Sequence, residues 1–417
     1  MRKSLFLVVT LLMVAAVMLP ACATPTPETV IVKETVTVKE TVTVKETVVQ
    51  VKEVTPTPLP PAPTEITVVD TNSGANFQVF WKTRIIPAVQ EQLGIKINYV
   101  VSTGAETAER MKAWEAGKGD IHMLFMKPDD LANLVKSNIP LVKIWPDQLA
   151  AIPNLAKCRE DYLTNAQGVD PKGAGALYWR SQYTLVYNTQ YITNPPTSWA
   201  EFYARRAEWK GHIGWMRPDS KSGSGRSLPY AFVNAFVPLT APDGKAIPLA
   251  ELEAKPEYKD ALAKLKDFIT YTKLASEPTN MFEDFNAGDT WIACYAMDYS
   301  LWSISQGTMP PTLAAGSLSD GMPAGSDGYL SIPGNIPEAY KPVVMKVINY
   351  LLSDDQQIRL ITEMWQYTGT EIEDKVPDVV WRKIPKWAEI EKVRVRLTNK
   401  EFTDWVKAKG AEVLLAK

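Results

Sequence analysis

Ile66-Thr67-Val68-Val69-Asp70-Thr71-Asn72-Ser73-Gly74-Ala75-Asn76 opens the body of this 417-residue chain and decides its class. Ile66 to Val69 reads as a strand, Asp70 to Asn76 as a polar turn, and residues 77–93 as a helix. A second strand follows at 95–101, a helix at 107–116, and an apolar strand at 121–126. Lys127-Pro128-Asp129-Asp130 then starts another helix, with acids in the first turn where the helix dipole favours them. Strands alternating with helices imply parallel βαβ units and hence an α/β fold with helices on both sheet faces. Further along, 177–188 reads as one long strand, with shorter ones at 213–216 and 291–297 and late helices at 340–352 and 356–367. His122, inside an apolar strand, reads as a satisfied core residue.

Composition narrows the function. At roughly 100–200 residues per domain the length suggests two folded units. With 46% hydrophobic and 22% charged residues, a sizeable core is available. Lys and Arg number 45 against 47 Asp and Glu, so no basic excess points to nucleic acid. Only two histidines exist, which disfavours a His-rich metal site or a His-dependent hydrolase; no metal and no cofactor is expected. All thirteen Trp lie at or after Trp81, so the body uses large flat apolar surfaces.

The first residues bear on location. Arg2 and Lys3 precede an apolar run at 5–19 broken only by Thr10, too short for a span of about 20 residues but suited to a signal peptide. The run ends at Leu19-Pro20-Ala21-Cys22, which resembles the lipobox of bacterial lipoproteins, with Pro20 a mild departure. Residues 1–21 are then the leader and Cys22 the lipidated N-terminus; an ordinary signal peptide with an incidental cysteine is the alternative. Val-Lys-Glu-Thr-Val-Thr recurs from Val32, Val38 and, with Val49 closing it, Val44. Valines of one parity give a β-like alternation, and the proline-rich 55–63 is extended. Residues 22–64 thus read as a tether between lipid and body, with a reach of about 140–150 Å. Cys158 and Cys294 remain, an even number that in an exported chain allows a disulfide; two buried free thiols is the other reading.

In open α/β sheets ligands bind beyond the carboxyl ends of strands, which selects the loops 70–76, 127–130, 217–226 and 298–302. Asp298, Tyr299 and Trp302 give a carboxylate with aromatic walls, suited to an ammonium or to hydroxyls, or else a helix cap with core aromatics. Ser222 and Ser224 offer hydroxyls at a helix start, and Arg226 a cation for a ligand anion or for Asp219. Asn72, Ser73 and Asn76 can donate and accept. Trp179 and Arg180 could stack on a ligand or hold two lobes together, and Asp327 is a second candidate carboxylate.

Four segments in order then carry a resemblance. They are Leu185-Val186-Tyr187-Asn188 with Pro195-Pro196-Thr197-Ser198-Trp199-Ala200-Glu201-Phe202; Phe285-Asn286-Ala287-Gly288 ahead of Ala296-Met297-Asp298; Ser331-Ile332-Pro333-Gly334-Asn335; and Val347 through Gln356. Ser198 and Glu201 have capping-box spacing. Together, over roughly 65–390, these resemble the family 1 extracellular solute-binding proteins, lipid-tethered receptors of ABC importers. The resemblance implies a two-lobed type II periplasmic-binding-protein fold, monomeric and not an enzyme, with a hinge near 177–188. It would put one lobe at 65–186 plus 325–417 and the other at 187–324. Its partners would be a small solute, the importer's permease subunits and, through the lipid, a membrane. Tyr178-Trp179 and Asp298 are similar to the polyamine, thiamine and iron receptor subgroup, in which a carboxylate faces the ligand ammonium. Ala296-Met297 replaces the Trp-containing approach to that acid. Tyr295 and Tyr299 flank it without the adjacent Tyr-Tyr of iron receptors. A polyamine- or thiamine-like cation, or a sugar or polyol, is the expected solute. The competing function is an exported carbohydrate-active enzyme, which would need Asp298 and Asp327 about 5–5.5 or 6.5–9.5 Å apart. A structural surface protein accounts for the stalk but not for the body.

Overall fold

The computed structural model describes residues 62–416 except 72, 167 and 221; the leader, Cys22, the hexad stalk and Asn72 lie outside the described residues. The opening stretch folds as its pattern dictates: strand β1 (Glu65–Asp70), then helix α1 (Ala75–Phe80), a π-helical turn (Trp81–Ile85) and α2 (Ile86–Leu93). Gly74, at φ 120°, supplies the left-handed turn that lets the chain leave β1 and enter α1. Helix α2 ends at Gly94, also left-handed, and β2 (Lys96–Val101) returns parallel to β1.

Two sheets organise the chain. The first has the order β12-β4-β11-β3-β1-β2, with β3 at Met123–Met126, β4 at Ala176–Arg180, β11 at Gly328–Ser331 and β12 at Tyr367–Thr368. The second has the order β7-β6-β8-β5-β9, with β5 at Tyr183–Asn188, β6 at Ile213–Met216, β7 at Thr272–Ala275, β8 at Ile292–Ala296 and β9 at Leu313–Gly316. Parallel pairing holds where strands alternate with helices: β1 with β2 and β3, and β6 with β7 and β8. Strands that arrive from the other sheet pair antiparallel, β11 with β3 and β4, and β5 with β8 and β9. Each sheet has its own apolar core. Trp81, Phe125 and Trp179 lie in the first, and Trp199, Trp215, Phe232 and Phe268 in the second.

The expected long strand at 177–188 is two strands. The chain stays extended but changes sheets at Ser181 and Gln182, whose carbonyls accept from Gly325 and Met297. The return passes through β10 (Met322–Pro323) and Ala324 to Asp327 into β11. A third passage, β13 (Arg394–Val395), pairs parallel with β10. It leads to a helix at Lys400–Leu414, whose Phe402, Val406 and Leu414 pack in the second core. The grouping of 325–417 with the first lobe is therefore corrected at its end: an amphipathic terminal helix goes where its apolar face is buried. No helix among the described residues is long and apolar enough to cross a membrane.

Cys158 and Cys294 are both free and buried, one in each core, so the disulfide reading gives way to the free-thiol one. Cys158 Sγ donates to Leu177 O at 3.5 Å, and burial pushes its thiol up to about 12. His122 is a core residue as expected: Nδ1 accepts from Thr67 N at 2.8 Å and the ring stacks on Tyr340. At 198–201, Ser198 accepts from Glu201 N, but Glu201 reaches Thr197 instead of closing the box.

Candidate functional site

A cavity of about 290 Å³ lies between the lobes, its walls supplied by both. From the first lobe come Ser73 through Phe77 after β1, Lys127 after β3, and Trp179. From the second come Ser222 and Gly223 after β6, Glu277 through Thr279 after β7, and Tyr295, Asp298 and Tyr299 at the end of β8. Ser181, Tyr183, Ser326 and Gln366 line the hinge end. All four loops picked from the sequence reach this cavity, because every parallel strand points its carboxyl end at it.

Asp298 is the buried acid of the wall. It sits in the first turn of the helix at Met297–Ser305, whose N-cap is Ala296, so the cap reading fails. Ser181 Oγ donates to its Oδ1 at 3.1 Å. Burial pushes the carboxyl up to about 7, against the pull of that hydrogen bond. Asn76, from the other lobe, lies close enough to favour the charged form. Its Nδ2 is buried without a hydrogen-bond partner. A Gln366 oxygen is buried and equally unpartnered. Both residues line the cavity and carry an amide that can donate to or accept from a polar group there.

Beneath the first-lobe wall, two further acids hold the Thr71 to Gly74 turn. Ser73 N and Oγ donate to Asp70 at 2.7 and 2.6 Å, and the Tyr99 hydroxyl donates to the same carboxylate. Thr71 Oγ1 donates to Asp130 at 2.6 Å. Burial raises Asp70, and burial with the neighbouring Asp129 charge pushes Asp130 up to about 6. Ser73 therefore faces the cavity with its hydroxyl proton already committed.

The other expected site residues divide. Ser222 lines the cavity, whereas Ser224 is fully buried behind it and orients it: the two Oγ atoms are 2.8 Å apart, and Tyr183 donates to Ser224 at 3.1 Å. Tyr299 lines the wall and Trp302 does not; their helix turns Trp302 onto the first lobe's core. Trp179 is only 2% exposed. One face stacks on Phe77 with centroids 4.3 Å apart, a Cβ at Gly328 would overlap its ring, and Nε1 donates to Ser326 O. It offers an edge to the cavity, not a stacking face. Arg180 points away, donating to Thr368 O and lying 4.1 Å over the Trp387 ring. Asp327 is taken by Arg394, whose Nη2 reaches both oxygens at 2.7 and 2.9 Å. It does not line the cavity, so the paired carboxylates of the enzyme reading are not assembled there. Arg226 does not line the cavity, and Asp219 is held by Arg217 instead. It crosses to the first lobe and meets Asp129 at 3.0 Å.

Among the described residues no cluster of three His, Cys, Asp or Glu side chains could hold a metal. Sequence reasoning missed the segment from Glu277, because β7 is a half-exposed edge strand, Thr-Lys-Leu-Ala, with no apolar run to read; taken as a strand, it would have brought this loop in by the same carboxyl-end rule. Gln366 follows a helix and carried no signal.

The family model for bacterial extracellular solute-binding proteins matches residues 85–385. A comparison with curated proteins finds no match. Among solved structures, an ABC transporter substrate-binding protein from Bradyrhizobium japonicum is similar at TM-score 0.63 and 14% identity, over 84% of this chain and 99% of that one. Maltose-bound MalE3 of T. maritima is similar at 0.64 and 15%, over 84% and 97%. The spermidine/putrescine-binding protein PotD of Streptococcus pneumoniae is similar at 0.62 and 11%, over 84% and 99%. At these identities the likeness is one of fold, the two-lobed periplasmic-binding architecture; with the family model matched over most of its length, the chain belongs to the bacterial extracellular solute-binding proteins.

Proposed function

We propose that this protein is the receptor of an ABC importer, held outside the cytoplasm by a lipid on Cys22, and that it closes its lobes over one small polar organic solute. The observation that carries this reading is a cavity walled by both lobes, with a buried polar side chain in its lining from each, Asn76 from the first and Asp298 from the second. Such a cavity is completed only when the lobes meet, so solute and closed form stabilise each other. Asp298, Asn76, Ser73, Ser222 and Tyr299 are the proposed contacts. Asp298 suits an ammonium or a hydroxyl, which keeps polyamine- and thiamine-like cations and sugars or polyols within the class. The named solutes of the neighbours span that range: spermidine and putrescine, maltose, and agropinic acid.

A thermal-shift screen over amines, amino acids, sugars and organic acids tests the receptor reading, because a solute that binds only the folded state raises Tm. A turnover assay with glycoside substrates that showed hydrolysis would replace it with the enzyme reading. For the anchor, Cys22→Ser should release the protein from membranes; recovery in the membrane fraction at wild-type level would count against it.

A further inference from the structure

The charged side chains of the cavity wall segregate by lobe. Among the described residues of the wall, Lys127 is the one charged group contributed by the first lobe, while Glu277 and Asp298 are those of the second. Lys127 forms no ion pair within 4 Å among the described residues, although Asp70 and Asp130 feel its charge from behind the wall. Among the described residues Asp298 likewise pairs with no cation; Ser181 Oγ donates to it. Lys127 stands at the carboxyl end of β3 and Asp298 at that of β8, on facing walls.

A wall of this kind discriminates by charge pattern. A solute whose two ammonium groups span the lobes would set one of them against Lys127, and a dianion spanning them would set one carboxylate against Asp298. Each arrangement desolvates like charges together, which costs several kcal/mol. A neutral solute would leave both wall charges without a counter-charge. Resting on the receptor reading above, we propose that the solute is amphoteric, with a cationic group between Asp298 and Glu277 on the second lobe and an anionic group at Lys127 on the first. Such a molecule joins the lobes with its two ends, coupling recognition to closure. The cavity holds about ten waters at about 30 Å³ each, which sets the solute at the size of a small amino acid or aminophosphonate.

The test uses the mature full-length protein and chain-matched probes: ω-amino acids of two to six carbons, the corresponding diamines and the corresponding diacids, titrated calorimetrically. At least one amino acid should bind at least about tenfold more tightly than its matched diamine and diacid. In Lys127→Met that preference should collapse, with the diamine gaining, and Lys127→Arg should restore it; melting curves establish that each variant folds. A diamine, diacid or sugar that binds while every amphoteric probe fails would overturn the proposal and leave the receptor reading standing. An amphoteric preference that survives Lys127→Met would also overturn it. Failure of every solute in the wider screen would overturn both.

Discussion

Asp298 carries two separable consequences. As a solute contact, its change to Asn should leave the fold intact and weaken binding by about 2–5 kcal/mol, the usual cost of removing one member of a buried charge-assisted contact. A calorimetric titration with an unchanged Kd would remove it from the site. Its titration gives the second. The unfolded carboxyl ionises near 3.8 and the folded one near 7, so between these values the folded state holds the extra proton. The stability this contributes is complete below the unfolded value and is lost as pH rises through 7. Wild-type Tm should therefore fall relative to Asp298→Asn between pH 5 and 8 in melts without solute, and equal slopes would deny the shift. For a cationic group the sign is opposite, since the proton must leave first: affinity should weaken by up to about tenfold per pH unit below 7. Asp298 and Ser222 were legible because strand-end position and residue type agree. Arg180 and Asp327 were misread because a sequence shows charges but not which ones pair; Asp327 meets a guanidinium 67 residues on.

Elements were legible where an apolar run coincides with burial, as in β6, and not where a strand of the same length lies half-exposed, as in β7. The strands 95–101 and 213–216 and the late helices fall within a few residues of their observed bounds, since apolar period and burial coincide there. The two-residue strands β10, β12 and β13 have no period to read; they exist because crossing segments lie side by side. The break at Ser181 was hidden because strand propensity continues through it. Between elements, the pair from Asp129 to Arg226 joins the first turn of the helix at Pro128–Lys136 to that of the helix at Ser224–Phe236, one in each lobe. Both side chains are mostly buried, at 21% and 13% exposure, so the pair is worth more than the few tenths typical of the surface. Arg226→Gln should weaken closure by about 1 kcal/mol, read as a roughly fivefold faster solute dissociation in stopped flow. An unchanged dissociation rate would make the contact incidental to closure.

At the scale of the molecule, three chain passages connect the lobes, and Arg394 binds them together. It donates to Ser181 O and to Gln182 Oε1 at 2.9 Å in the first passage, and takes both oxygens of Asp327 in the second, while standing itself in the third. Asp327 also accepts from Ser181 N at 3.0 Å. The Arg394 side chain is 2% exposed and that of Asp327 10%, so neither charge has water to fall back on. Breaking such a pair from one side leaves an uncompensated buried charge and costs about 3–5 kcal/mol. Asp327→Asn should therefore lower Tm sharply, and by less than Asp327→Ala, because the amide oxygen can still accept from Arg394. Since Asp327 does not line the cavity, the folded Asp327→Asn protein, titrated well below its Tm, should bind solute within about threefold of wild type. This separates a clamp from a contact. A variant with wild-type Tm and severely weakened binding would return Asp327 to the solute site, and the hinge would have to be held together by something other than this buried ion pair.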